Sequence, residues 1–208
     1  MLKGNNIYKD YGKQSVLKNV DFVVSKKEIV GLSGINGSGK TTLLDVLALI
    51  LNPDKGEIVI DSDYVSDKNK LELRKKIAYV PQDIALFEEL TVKENLLCWS
   101  KLNKDSSMKR IKEIEPYFNL EKMFNKKIIK LSGGMKRRVN FAVALMGEYE
   151  YMVLDEPLAG LDYESADDLI EFIKNERDKG IGIILTGHER YLLSECADRI
   201  IDLEAING

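Results

Sequence analysis

The chain has 208 residues, 44% hydrophobic and 31% charged, with a net charge of −3, as expected of one sizeable soluble globular domain. Its longest apolar run, Val46–Leu51, is far short of the about 20 residues a membrane-spanning helix needs. The mixed charges form no basic stripe, which argues against a nucleic-acid partner.

Residues 2–32 read as strands joined by tight turns, with Val20–Val24 rich in β-formers. Tyr11 precedes the first glycine turn; from spacing alone it reads as a strand-edge tyrosine rather than a ring for stacking. Glu28–Leu32 is a buried strand, and the run from Thr42 to Leu51 is a helix. Between them lies Gly34-Ile35-Asn36-Gly37-Ser38-Gly39-Lys40-Thr41, which fits G-x-x-x-x-G-K-[S/T]. The glycines let successive N–H groups turn inward toward a phosphate chain, and the following helix adds its positive end. Lys40 supplies a cation for the outer phosphates, and the Thr41 hydroxyl suits Mg²⁺.

Beyond a turn at Asn52–Gly56, Glu57–Ile60 and Ile77–Val80 are strands flanking a short charged helix near Leu71–Lys76. Gln82 follows the second strand and means little by itself. Residues 84–131 lose the β signal. Thr91 and Glu94 form a capping box, and Asp105 or Ser106 is placed to cap a helix running to about Tyr117. This stretch reads as a helical lobe inserted into an α/β core. Trp99 is expected in the lobe's core, whereas Leu86, Phe87 and Leu90 suit either that core or a partner groove.

Leu131-Ser132-Gly133-Gly134 opens a helix whose buried face holds Met135, Val139, Ala142 and Met146, with Lys136, Arg137 and Asn140 pointing elsewhere. Ser132 and the two glycines make a second potential anion site. Tyr151–Leu154 is a buried strand closed by Asp155 and Glu156, at the edge where open α/β sheets bind ligands. Asp155 is placed for Mg²⁺ and Glu156 for polarising water. A turn at Ala159–Asp162, a helix near 163–179 and a strand over Ile181–Thr186 follow. His188, the only histidine, stands just past that strand, where structural and catalytic roles are both open. Arg199–Leu203 is a last strand. Met1–Asn6 has no signal-peptide core, and Cys98 and Cys196 lack metal-ligand spacing, so a cytosolic chain with reduced thiols is expected.

The series Gly34–Thr41, Gln82, Leu131–Gly134, Tyr151–Glu156, Ala159–Asp162 and His188 resembles the ATP-binding subunit of an ABC transporter over nearly the whole chain. The resemblance implies an α/β fold: a P-loop NTPase core with a mostly parallel sheet and an N-terminal antiparallel β subdomain (about 1–83 and 132–208), plus an inserted helical subdomain (about 84–131). It implies ATP and Mg²⁺ as ligands, with Gly34, Ile35, Asn36, Gly37, Ser38, Gly39, Lys40, Thr41 and Thr42 around the phosphates and Thr41, Gln82 and Asp155 near the metal. It casts Tyr11 as the ring stacked on adenine and Gln82 as the γ-phosphate sensor. Glu156 becomes the general base, His188 the switch residue and Asp162 the link between sites. Ser132, Gly133 and Gly134 would reach ATP held by a second ATPase subunit, with a homodimer preferred to a heterodimer. Two departures stand out: Met135 replaces the usual Gln, and Ile35 replaces the common Pro.

The implied function is ATP hydrolysis powering a transporter, exporter-type preferred, with the chain on the cytoplasmic face of the membrane beside separate transmembrane permease subunits. Leu90–Leu96 carries the exporter preference. The alternative is a soluble ABC ATPase acting as an assembly factor, of the iron–sulfur type. A GTPase is unsupported because Asn103-Lys104-Asp105 lacks the guanine-reading spacer, and a P-loop kinase leaves Leu131–Gly134 unexplained.

Overall fold

The structure, a computed structural model, describes residues 1–100, 102–161, 163–187 and 190–207. Among these, two sheets form. β1 (Leu2–Tyr11), β2 (Gln14–Val24), β4 (Lys55–Ile60) and the short β5 (Asp63–Tyr64) make an antiparallel sheet in the order β2-β1-β4-β5. The other is parallel, in the order β6-β7-β8-β3-β9, from β3 (Ile29–Ser33), β6 (Ile77–Val80), β7 (Tyr151–Leu154), β8 (Gly182–Thr186) and β9 (Arg199–Asp202).

β7 and β8 are buried along their whole length, as parallel strands covered on both faces must be. α1 (Lys40–Leu47) lies between the two sheets. Its Leu43, Leu44, Val46 and Leu47 are fully buried among residues of β1, β2, β3 and β7. Burying a leucine contributes about 1.5–3 kcal/mol, so this helix holds the phosphate loop ahead of it on a rigid base. α2 (Lys70–Lys75) precedes β6. α1 ends four residues earlier than the apolar run suggests, because Leu49 turns to a positive φ of 58°.

The lobe holds α3 (Val92–Trp99) and α4 (Lys104–Phe118), followed by two single 3₁₀ turns. The Thr91–Glu94 capping box forms as expected. α4 is capped by Asn103, which accepts the Ser106 N–H, rather than by Asp105 or Ser106. α5 (Gly133–Ala144), α6 (Tyr163–Asp178), α7 (Arg190–Cys196) and α8 (Leu203–Ile206) complete the chain. α7 and α8 were not legible in the sequence; β9 stops at Asp202, whose side chain caps α8. The core of the lobe is continuous with the core under the parallel sheet: Ile111, Ile114 and Phe118 of α4 join Phe141 of α5 and Phe172 of α6. Arg110 of α4 reinforces this join by donating to the Leu145 carbonyl, Tyr149 and buried Glu176. Burial raises the Glu176 carboxyl, and Lys179, Tyr149 and Arg110 more than offset it, so the group sits below the usual range.

Two more expectations are corrected. Trp99 is not core: it is 44% exposed and stacks on exposed Phe87, with ring centres 5.6 Å apart. Asn140, expected off the buried face of α5, is itself buried, and its Oδ1 accepts the Ala85 N–H. In the apolar trio, whose role was open, Leu86 packs against the core while Phe87 is exposed. Both cysteines are free thiols, Cys98 exposed and Cys196 buried.

The segment from Gln82 into the lobe has little regular structure of its own, and buried asparagines hold it instead. Asn95, fully buried, accepts the Phe87 N–H and donates to the Phe87 and Thr91 carbonyls. Removing it orphans backbone groups that water cannot fully reach. Asn95→Ala is therefore expected to lower unfolding free energy by about 1–3 kcal/mol, read from a urea midpoint. A change under about 0.5 kcal/mol, the size of an ordinary surface effect, would contradict that clamp.

Candidate functional site

The C-terminal ends of β3, β6, β7 and β8 meet on one edge, as a parallel sheet requires. From β3 the chain enters the glycine loop. Gly34, Gly37 and Gly39 all have positive φ, at 154°, 81° and 101°. Gly39 caps α1 without a side-chain bond, which leaves the first N–H groups of the helix open to a ligand. A Cβ on Gly39 would stand 2.8 Å from Val16 Cγ1, so the loop is pressed against the β1–β2 hairpin.

Lys40 is 6% exposed, and its ammonium donates back to the Gly34 and Ile35 carbonyls at 2.8 and 3.0 Å. The charge thus sits inside the loop it is to serve. The Thr41 hydroxyl donates to Asp155 Oδ2 at 2.7 Å. Asp155, 2% exposed, follows β7 and also accepts the Thr186 hydroxyl at Oδ1. Gln82, after β6, donates to Glu156 Oε2 at 3.0 Å. These groups border a cavity of about 440 Å³ lined by Val16, Asn36, Gly37, Gly39, Lys40, Thr41, Thr42, Gln82 and Glu156.

Two observations test whether a nucleotide fits. Ser38 Oγ is buried without a partner among the described residues, and a Cβ on Gly37 would meet open space. Both suit a polyanion lying along the loop. One hydroxyl and one carboxylate suit Mg²⁺, which keeps water and phosphate oxygens as its other ligands. No cluster of three or more His, Cys, Asp or Glu among the described residues offers an all-protein metal cage.

Tyr11, Ile35 and Ser132–Gly134 do not line this cavity. Tyr11, at the end of β1, is 51% exposed and does not line it. Ile35 is exposed, contributing its carbonyl to Lys40. Ser132, Gly133 and Gly134 are exposed at the start of α5, where Ser132 caps Met135 N–H. Cβ atoms on those two glycines would meet nothing within 4 Å, leaving the surface bare to a partner. Arg137, one turn on, donates to the Ala159 carbonyl and so ties α5 to the turn after Glu156. Asp162 and His188 lie outside the described residues. Sequence reasoning missed Val16 as a cavity wall and Thr186 as a partner of Asp155. Neither carries a motif; only the β7–β8 register could have pointed to Thr186.

Comparison with known proteins agrees with this geometry. The family model described as "ABC transporter" matches residues 17–159. The linearmycin resistance ATP-binding protein of Bacillus subtilis is 37% identical over 96% of this chain; the chain spans 65% of that protein's length. The lipopolysaccharide export ATP-binding protein of Haemophilus influenzae is 35% identical over 94% of this chain and 84% of its own length. Among solved structures, an ATP-binding cassette captured as a post-hydrolysis dimer with ADP and phosphate matches with a TM-score of 0.85. It is 28% identical, covering 97% of this chain and 94% of that one. With its glycine loop, acid-tipped β7 and exposed Ser132–Gly134, the chain belongs to the ABC transporter family and is one of its ABC ATPase cassettes.

Proposed function

We propose that the chain is the ATP-hydrolysing subunit of an exporter-type membrane transporter, working as a head-to-tail dimer. The observation that carries the reading is the meeting of Thr41 with Asp155 and of Gln82 with Glu156 at one cavity, 114 and 74 residues apart in sequence, while Ser132–Gly134 stay exposed elsewhere. One chain then holds ATP on its glycine loop and lacks the other wall. A second copy related by a two-fold supplies Ser132, Gly133 and Gly134 to that ATP and receives the same in return.

Within each site, Lys40 and the loop N–H groups bind and orient the phosphates. Thr41, Asp155 and Gln82 would hold Mg²⁺, which would supply charge neutralisation for the phosphates. Glu156 accepts the proton of the attacking water, and Gln82, bonded to Glu156, reports whether the γ-phosphate is present. Tyr11 meets the adenine. His188 is assigned to the γ-phosphate and Asp162 to communication between the two sites on family resemblance alone. ATP stabilises the closed dimer, and loss of the γ-phosphate releases it, a population shift set by differential affinity.

Two relatives' names, resistance and export, support the exporter reading, and they match over more of this chain than a molybdate/tungstate import ATP-binding protein that is 38% identical over 79% of it. No helix among the described residues is long and apolar enough to cross a membrane, which fits a cassette that sits on separate permease subunits at the cytoplasmic face. A cavity of about 330 Å³ between core and lobe, lined by Ile50, Tyr79, Ala85 and Trp99, is where a permease segment would dock, beside exposed Phe87. The test is fractionation of cells producing the chain with its native partners. Wild type should sediment with membranes, and the Phe87→Ala/Trp99→Ala double variant should shift to the supernatant while still binding ATP. Equal membrane association of both would contradict docking at that groove, and a wholly soluble wild type would contradict the transporter reading.

A further inference from the structure

We propose that Thr186 is a positioning residue of the hydrolytic site, its hydroxyl tying the Asp155 carboxylate to the backbone of Glu156. The proposal rests on the roles given to those two acids above. Thr186 ends β8 and is 1% exposed. Its Oγ1 donates to Asp155 Oδ1 at 2.7 Å and accepts the Glu156 N–H at 2.8 Å. A hydroxyl has one proton and two lone pairs, so both bonds coexist, and the proton can go only to the carboxylate. The placement follows from strand register: Leu154 pairs with Leu185, so Asp155 and Thr186 leave their strands side by side.

Two degrees of freedom are fixed by this one oxygen. Asp155 is gripped from both sides, by Thr186 at Oδ1 and Thr41 at Oδ2, which sets the rotation of the carboxylate that faces the metal site. Glu156 has a left-handed backbone, φ 50°, and precedes Pro157, a combination that L-residues other than glycine rarely adopt. Such a conformation persists only when its surroundings hold it, and the bond from Glu156 N–H to Thr186 is one such hold. A packing role alone would need only the β-branched volume, which valine supplies. The hydroxyl is required only if the two acids must be aimed together.

The experiment compares wild type, Thr186→Val, Thr186→Ser and Glu156→Gln. Steady-state ATPase gives kcat and KM, and binding of a fluorescent ATP analogue is measured with EDTA and with Mg²⁺. Thr186→Val is expected to lose about 10- to 100-fold in kcat, with KM changed far less. Its affinity in EDTA should match wild type, while the gain in affinity on adding Mg²⁺ should shrink. Thr186→Ser, which keeps the hydroxyl, should recover most of both losses. An undiminished kcat in Thr186→Val, an equal loss in Thr186→Ser, or a loss confined to KM would overturn the proposal. If Thr186→Val does not fold, Thr186→Ala is read by the same criteria. An active Glu156→Gln would remove the underlying reading and the proposal together, whereas an inactive Glu156→Gln beside a fully active Thr186→Val would remove the bridge alone.

Discussion

Glu156→Gln is expected to lower ATP turnover by about 10²–10⁴-fold, the range that general-base help contributes, with ATP affinity nearly unchanged. The substitution keeps size and shape and removes the carboxylate that accepts a proton. It also keeps an oxygen for the Gln82 amide, which now donates to Glu156 Oε2 at 3.0 Å, so the cavity wall should stay in place. The backbone bond from residue 156 to Thr186 is independent of the side chain and should survive. Lost chemistry with retained binding is the signature of a group acting in the transition state alone. Wild-type turnover in this variant would take Glu156 out of the role proposed for it.

Lys40→Ala is expected to weaken ATP binding by about 10- to 100-fold, from the roughly 1.5–3 kcal/mol that a hydrogen bond to a charged group contributes. The ammonium is 6% exposed and is held by two carbonyls of the loop that curls around it. The variant therefore loses the cation and two bonds that close the loop. Neighbouring N–H groups of Gly39 and the α1 terminus remain, which is why some affinity should persist. Equilibrium titration with a fluorescent nucleotide decides the matter. Unchanged affinity would mean that Lys40 serves only to shape the loop.

The parts of the site legible in the sequence are those whose chemistry is local. Gly34–Thr41 announces itself because a strand, glycines at fixed offsets and a lysine at a helix start lie within one short stretch. Asp155 and Glu156 stand out because a wholly apolar strand ends in two acids. Gln82 is different: a lone Gln after a strand has no local signature, and only the pairing of β6 with β7 brings it to Glu156, 74 residues away. Thr186 was invisible for the same reason, since a threonine closing a buried strand reads as β-branched filler.

The α/β character and the helical stretch over 84–131 are legible in periodicity, whereas the arrangement of the two sheets came from the family resemblance and the lobe's details from neither. Asn140 falls off the apolar stripe of α5, yet it is buried because the irregular segment beyond Gln82 lies over it and needs an acceptor for the Ala85 N–H. Trp99, the largest side chain, reads as core on hydrophobicity. It stays 44% exposed because α3 ends there and Phe87 provides a surface to stack on. Both misreadings involve a loop whose path the sequence does not encode locally.

The proposed mechanism requires two chains to share each ATP. Light scattering on Glu156→Gln at saturating Mg-ATP measures this most directly. A particle of twice the single-chain mass is expected, and single chains once Ser132→Arg is added to the same background, though nucleotide remains bound. A nucleotide-saturated Glu156→Gln that stays a single chain, or a doubly substituted chain that pairs as well as its parent, would contradict it.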